Sequence, residues 1–298
     1  MLLKEIKNIF HKELEDLYPK EEIDSFFHLL IEHYLGLERF VLALQPHLTV
    51  TKQEEQPLFE ALSALRSERP IQHIIGKAHF MEMDFKVSEN VLIPRPETEE
   101  LVRWILDGQN QKGKSKKQDK ALRILDIGTG SGCIAISLAQ KLPDAELFAL
   151  DVSSEALKVA RENASLHEVD VQFIEADILE WDGNSGYGEG ILFDIIVSNP
   201  PYVRNSEKKE MRKNVLDNEP ELSLFVTDEH PLKYYEAIAR FAQENLMENG
   251  ALYLEINQYL SEETEKLLRI HSFSQIELRR DLFGNFRMIK CCKGAFNE

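Results

Sequence analysis

The run Leu125-Asp126-Ile127-Gly128-Thr129-Gly130-Ser131-Gly132-Cys133 reads as an apolar strand that breaks into a glycine turn and then enters a helix. Glycines in such a turn allow φ > 0 and let a ligand approach the backbone without meeting a β-carbon. The N–H groups that open the following helix favour an anionic group. A dinucleotide turn has the spacing G-x-G-x-x-G, and its third glycine would fall on Cys133. The spacing here is G-x-G-x-G, which alone also suits a structural tight turn.

Working outward, Asp151 closes the next apolar run, Leu147 to Leu150, about twenty residues beyond the glycines, where doubly wound folds place a carboxylate against ribose hydroxyls. Its two oxygens have acceptor capacity for both hydroxyls of a nucleoside. A helix N-cap is the competing role, although Ser153 or Ser154 can fill it. Turn and carboxylate together point to a nucleoside-bearing cofactor. Asp177, closing the third run, is a candidate to receive the exocyclic amine of an adenine, or a cap.

Strand-like runs cover Leu122–Ile127, Glu146–Leu150, Val171–Ile174, Phe193–Ser198, Ala251–Ile256, Gln275–Leu278 and Phe286–Cys291. Helical patterns separate most of them, which predicts an α/β fold: a doubly wound, seven-stranded mixed sheet covered on both faces. Only a short turn around Asp281–Asn285 joins the last two runs, so they must pair antiparallel. Residues 107–120, DGQNQKGKSKKQDK, lack apolar periodicity and read as a solvated mobile loop.

At the end of Phe193–Ser198 stands Asn199-Pro200-Pro201-Tyr202. Two prolines stiffen the turn and remove two backbone donors, leaving acceptors facing outward. The side-chain oxygen of Asn199 and the carbonyl of Pro200 can each accept an N–H from a planar amide or amine. Tyr202 offers a flat face for stacking. Asn199, Pro200 and Tyr202 are therefore the candidate catalytic residues, and Asn199 to Tyr202, including Pro201, the candidate substrate loop.

The chain has 298 residues, suggesting about two domains of roughly 150 residues each. With 43% hydrophobic and 29% charged residues it can bury a sizeable core, which excludes disorder. Residues 1–69 carry helical apolar spacing, seen in Leu2, Leu3, Ile6, Ile9 and Phe10 and again in Ile23, Phe26, Phe27, Leu30 and Ile31. Residues 70–95 include the alternating stretch around Phe80 and Phe85, expected as a linking β-hairpin, and residues 96–298 form the catalytic domain. The formal net charge of −17 disfavours capture of phosphate backbones and favours a basic protein partner. Three cysteines cannot build a disulfide framework, and the nine histidines lack metal-ligand spacing, so no metal is expected. The N-terminus does not resemble a secretory signal and no apolar run suggests a membrane span. A cytoplasmic monomer is expected.

Taken together, Pro70-Ile71-Gln72-His73-Ile74-Ile75-Gly76, the stretch VLIPRPETE from Val91 to Glu99, the glycine turn and Asn199–Tyr202 resemble the HemK/PrmC family. These are peptide-chain-release-factor glutamine methyltransferases, within the class I S-adenosylmethionine-dependent enzymes. The resemblance extends over essentially the whole chain, including Glu219-Pro220, Leu254-Glu255-Ile256 and Asp281…Gly284…Arg287. It implies that Gly128, Thr129, Gly130, Ser131 and Gly132 wrap the methionine part of S-adenosylmethionine and that Asp151 binds its ribose. Asp177 and Ile178 would flank the adenine, and Asn199 would lie between cofactor and substrate. It further implies that Asn199–Tyr202 hold the glutamine amide and that the helical domain docks class I release factors. Two positions depart from the pattern: Ile178 stands where some relatives carry an aromatic, and Val226–Pro231 lacks a glycine-rich stretch.

Two other functions compete. An adenine-N6 methyltransferase acting on DNA or RNA also uses an Asn-Pro-Pro-Tyr-like loop, but the acidic charge and the absence of a visible target-recognition insert count against it. A catalytically silent partner-binding protein is disfavoured by the intact glycines, Asp151 and Asn199–Tyr202.

Overall fold

Residue alternation along the strands decides which face of the sheet each side chain covers. In a computed structural model, which describes residues 1–112, 120–181 and 190–294, this alternation separates two apolar layers. Ile124, Leu147, Ala149, Ile195, Val197, Ala251 and Tyr253 face one layer. Their neighbours Leu125, Phe148, Leu150, Ile196, Leu252 and Leu254 face the other. Runs buried on both faces are what a parallel sheet clad by helices requires.

The chain divides into two compact units, Met1–Lys77 with Arg212–Asn218, and Ala78–Met211 with Glu219–Glu298. The first is helical: α1 Leu3–Leu14, α2 Lys20–Leu35, α3 Val41–Leu44, α4 Lys52–Arg66 and α5 Ile71–Ile75. Phe10, Phe27, Leu30, Leu58 and Leu65 are among its buried side chains. Thr51 caps α4 in a reciprocal box with Glu54, which satisfies two of the donors a helix start leaves open. Gly36, at φ +64°, ends α2 in the left-handed conformation that glycine adopts without strain.

The second unit opens with the hairpin β1 Lys77–Phe80 and β2 Met83–Lys86, followed by α6 Pro96–Lys112. Then come β3 Arg123–Ile127, α7 Cys133–Lys141, β4 Glu146–Asp151, α8 Ser154–Leu166, β5 Gln172–Glu175 and β6 Phe193–Ser198. The two-residue strands β7 Val203–Arg204 and β8 Phe225–Val226 pair parallel, outside the main sheet. Two short helices lie between them in sequence, α9 Lys213–Leu216 and α10 Glu221–Leu224. The chain closes with α11 Lys233–Asn245, β9 Leu246–Glu255, α12 Ser261–Ile270, β10 Phe273–Arg280 and β11 Phe286–Lys293.

The seven-stranded sheet has the order β10-β11-β9-β6-β3-β4-β5. β11 pairs antiparallel with both β9 and β10, while β9, β6, β3, β4 and β5 run parallel. The expected mixed sheet is present, with its antiparallel pair at one edge.

Three details differ from the sequence reading. Residues 107–112 are not loop but the last turns of α6; the rest of the expected mobile segment, residues 113–119, lies outside the described residues. Helical hydrogen bonding continues there past the end of the apolar pattern. The division between units falls within β1, not at residue 69, and the hairpin packs its Phe80 and Phe85 into the sheet's own apolar layer. Finally, Arg212–Asn218 clusters with the helical unit, where Lys213 lies 3.9 Å from Glu68 and Arg212 lies 3.8 Å from Glu22.

Candidate active site

In an open parallel sheet the ligand crevice lies beyond the carboxyl ends of strands where the chain order reverses. Here β3 lies between β6 and β4, so the loops leaving β3, β4 and β6 converge. One cleft is lined by Gly128, Thr129, Gly130, Ser131, Asp151, Asp177, Ile178, Asn199, Pro200 and Pro201. Of the predicted residues, Gly132 and Tyr202 do not line this cleft; Tyr202 lines a smaller cavity with Asn199 and Pro200.

The three glycines of the turn have φ of +73°, +55° and +81° at Gly128, Gly130 and Gly132. A β-carbon at Gly128 or Gly130 would meet open space, so the backbone there is bare toward the cleft. At Gly132 it would lie 2.8 Å from Ile136 Cδ1 and 3.2 Å from Ala160 Cβ, so that glycine lets α7 and α8 approach.

Asp151 has both oxygens engaged by backbone: Gly130 N–H donates to Oδ2 at 2.8 Å and Ser153 N–H to Oδ1 at 2.9 Å. Burial raises its pKa, and these two donors oppose the rise. Each carboxylate oxygen retains a further lone pair for a ligand hydroxyl. The N-cap of α8 is Ser153, which accepts from Ala156 N–H at 3.2 Å. Asp177 accepts from Leu179 N–H at 2.9 Å, so the cap is made, and it still lines the cleft. Ile178 is buried beside it, and Tyr234, which the sequence reading did not place, supplies an aromatic wall.

Asp126 underlies the turn. Its Oδ2 accepts from the Thr129 hydroxyl at 2.6 Å, and burial pushes its pKa up to about 7. Burial likewise pushes the Cys133 thiol up to about 12, so it is no nucleophile at neutral pH.

The Asn199–Tyr202 corner is braced from behind. Asn199 Nδ2 donates to Thr98 Oγ1 at 3.1 Å, Thr98 Oγ1 donates to Glu255 Oε2 at 2.7 Å, and the Tyr202 hydroxyl donates to Glu255 Oε1 at 2.9 Å. The Tyr202 ring packs against the apolar layer below, which accounts for its place outside the main cleft. Arg95, in the loop before α6, donates to Glu219 Oε1 at 2.6 Å, while Ile93 N–H donates to Oε2 at 3.2 Å. Thr98, Glu219 and Glu255 were not singled out as site residues from sequence. The available signal was an acid inside the apolar run Ala251–Ile256. Among the described residues no group of three or more His, Cys, Asp or Glu is placed to hold a metal ion. Nor is any helix among them long and apolar enough to cross a membrane.

The chain is 49% identical to the release factor glutamine methyltransferase of Flavobacterium psychrophilum, over 97% of this chain and 99% of that protein. It belongs to the release factor glutamine methyltransferase family. A second member, from Bacteroides thetaiotaomicron, is 40% identical over 96% of this chain and 99% of its own length. The family's domain models agree, with the PrmC N-terminal domain over residues 6–76 and the methyltransferase small domain over residues 114–223. Among solved structures, the hMettl16 catalytic domain superposes with a TM-score of 0.52 at 14% identity, covering 83% of this chain and 84% of that one. The shared architecture is the class I methyltransferase fold, and release factor glutamine methyltransferases are enzymes.

Proposed function

We propose that this chain transfers a methyl group from S-adenosylmethionine to the side-chain amide nitrogen, N5, of the glutamine in the Gly-Gly-Gln motif of class I peptide chain release factors. One observation carries the reading: in a member of this family, the acceptor-rich Asn199–Pro201 corner and the bare glycine turn line one cleft. When bound, S-adenosylmethionine supplies an electrophilic methyl on a sulfonium.

The residues present fit that cofactor. The backbone from Gly128 to Gly132 has no β-carbon to obstruct an amino-acid moiety at Gly128 or Gly130. Asp151 accepts from ribose hydroxyls, and Ile178 and Tyr234 provide apolar walls for the base while Asp177 receives its amine.

The substrate problem is that an amide lone pair is delocalised and weakly nucleophilic. Asn199 Oδ1 and the Pro200 carbonyl each accept one N–H, which builds electron density on the nitrogen. The stiff Pro200-Pro201 turn fixes those acceptors in line with the cleft, and such alignment is worth about 7–11 kcal/mol in well-oriented intramolecular reactions. No ionised base is needed at the nitrogen, because the nitrogen sheds its proton once it has been alkylated. Tyr202, held on Glu255, closes the back of the substrate loop.

The helical unit, in this reading, docks the release factor, and the charge of −17 suits a basic partner better than a nucleic acid. The enzyme works as a cytoplasmic monomer without binding nucleic acid. The adenine-directed alternative shares the Asn199–Tyr202 type of loop, but no observation favours it over the glutamine reading. Incubating the protein with a class I release factor and S-adenosylmethionine, then mapping the product by mass spectrometry, tests the proposal. One added methyl on the Gly-Gly-Gln glutamine is expected; transfer only to adenine-containing nucleic acid would overturn it.

A further inference from the structure

We infer that Glu255, acting through Thr98, is a positioning residue that dictates which end of the Asn199 carboxamide faces the substrate. The inference rests on the glutamine reading above.

Glu255 ends β9 and is 1% exposed; Thr98, in the first turn of α6, is 2% exposed. Their separation in sequence is 157 residues. Glu255 takes a hydroxyl proton on each oxygen, from Thr98 at 2.7 Å and from Tyr202 at 2.9 Å. A threonine hydroxyl has one proton. Once that proton is given to Glu255, the side of Thr98 Oγ1 turned toward Asn199 carries only lone pairs. Only an N–H can meet it, so Nδ2 is held against Thr98 at 3.1 Å. Oδ1 is thereby forced to the opposite side of the carboxamide, the orientation needed to accept from a substrate amide. A flipped carboxamide would set two oxygens against each other in a buried place, where an unmade hydrogen bond costs most.

Glu255 is thus the fixed end of a polarity relay. As an ionised carboxylate it has acceptors only and no proton to donate, and no group in the relay touches the reacting nitrogen except Asn199. Burial raises the pKa of Glu255, and the Thr98 and Tyr202 hydroxyls oppose the rise.

The test is a double-mutant comparison. Thr98→Val keeps the shape and removes the hydroxyl; Thr98→Ser keeps the hydroxyl. Each is measured alone and combined with Asn199→Ala by single-turnover methylation of a release factor, with calorimetry for S-adenosylmethionine binding. Thr98→Val is expected to slow transfer about a hundredfold, the scale of a misplaced reacting group. Cofactor affinity stays within an order of magnitude, and Thr98→Ser recovers most of the loss. In the Asn199→Ala background the same Thr98→Val change costs less than about twofold, because the relay has nothing left to orient. An unaltered rate in Thr98→Val, or losses that multiply in the double variant, would overturn the inference. If Thr98→Val does not fold, Glu255→Gln carries the comparison with the same two outcomes. A native protein that never methylates glutamine would instead defeat the functional reading itself.

Discussion

Asp126 shows how far burial alone can move a residue's chemistry. Its carboxyl is fully buried under the glycine turn, and its pKa rises from 3.8 to about 7 despite the hydrogen bond from the Thr129 hydroxyl. A carboxylate whose folded pKa exceeds its unfolded value binds more protons when folded. Its contribution is therefore fully present below 3.8 and is lost as pH rises through about 7. Asp126→Asn removes this titration. Urea denaturation of both proteins should show the native protein losing stability relative to Asp126→Asn from pH 4 to pH 7, with the gap constant above about pH 8. A gap independent of pH would mean that Asp126 is not desolvated in solution. The same lesson applies to Asn199: its type and place at a strand end were readable from sequence, but its orientation was not. That depends on Thr98 and Glu255, whose meeting only the folded chain brings about.

At the level of the element, the turn into α7 couples a binding surface to helix packing. Gly132→Ala would put a methyl 2.8 Å from Ile136 Cδ1 and 3.2 Å from Ala160 Cβ, at φ +81°. Overpacking and left-handed strain each cost about 1–3 kcal/mol, so a clear drop in melting temperature is expected. Adding Ile136→Val deletes the obstructing Cδ1 and should recover part of that loss. Gly130→Ala, with open space at its β-carbon, should lose less; the reverse ranking would show that Ile136 and Ala160 yield freely and that packing at Gly132 carries no cost. The strands and the antiparallel edge were legible because buried runs such as Phe193–Ser198 have few other solutions. The C-terminal turns of α6 were not, since a polar helix end and a polar loop share the same composition. The allegiance of Arg212–Asn218 to the helical unit was hidden for a different reason. A seven-residue segment whose only apolar residues, Val215 and Leu216, are half-buried leaves too short an apolar signature to read.

At the scale of the whole molecule, the charge of −17 should be felt in the encounter with a release factor and not in the chemistry. Raising ionic strength from low salt to about 0.15 M shortens the screening length to about 8 Å. The KM for an intact release factor should then rise steeply, while kcat and the KM for a short neutral glutamine peptide stay nearly level. Parallel rises for both substrates would mean that the field acts at the catalytic corner and not in docking. The glycine turn hangs from β3 and the Asn199 corner from β6, each of these strands flanked by a strand on both sides. Interior strands come apart only when their neighbours do. Warming is therefore expected to leave these two loops in register until the sheet itself opens, so that methyl transfer to a short glutamine peptide ends at the sheet's own melting temperature.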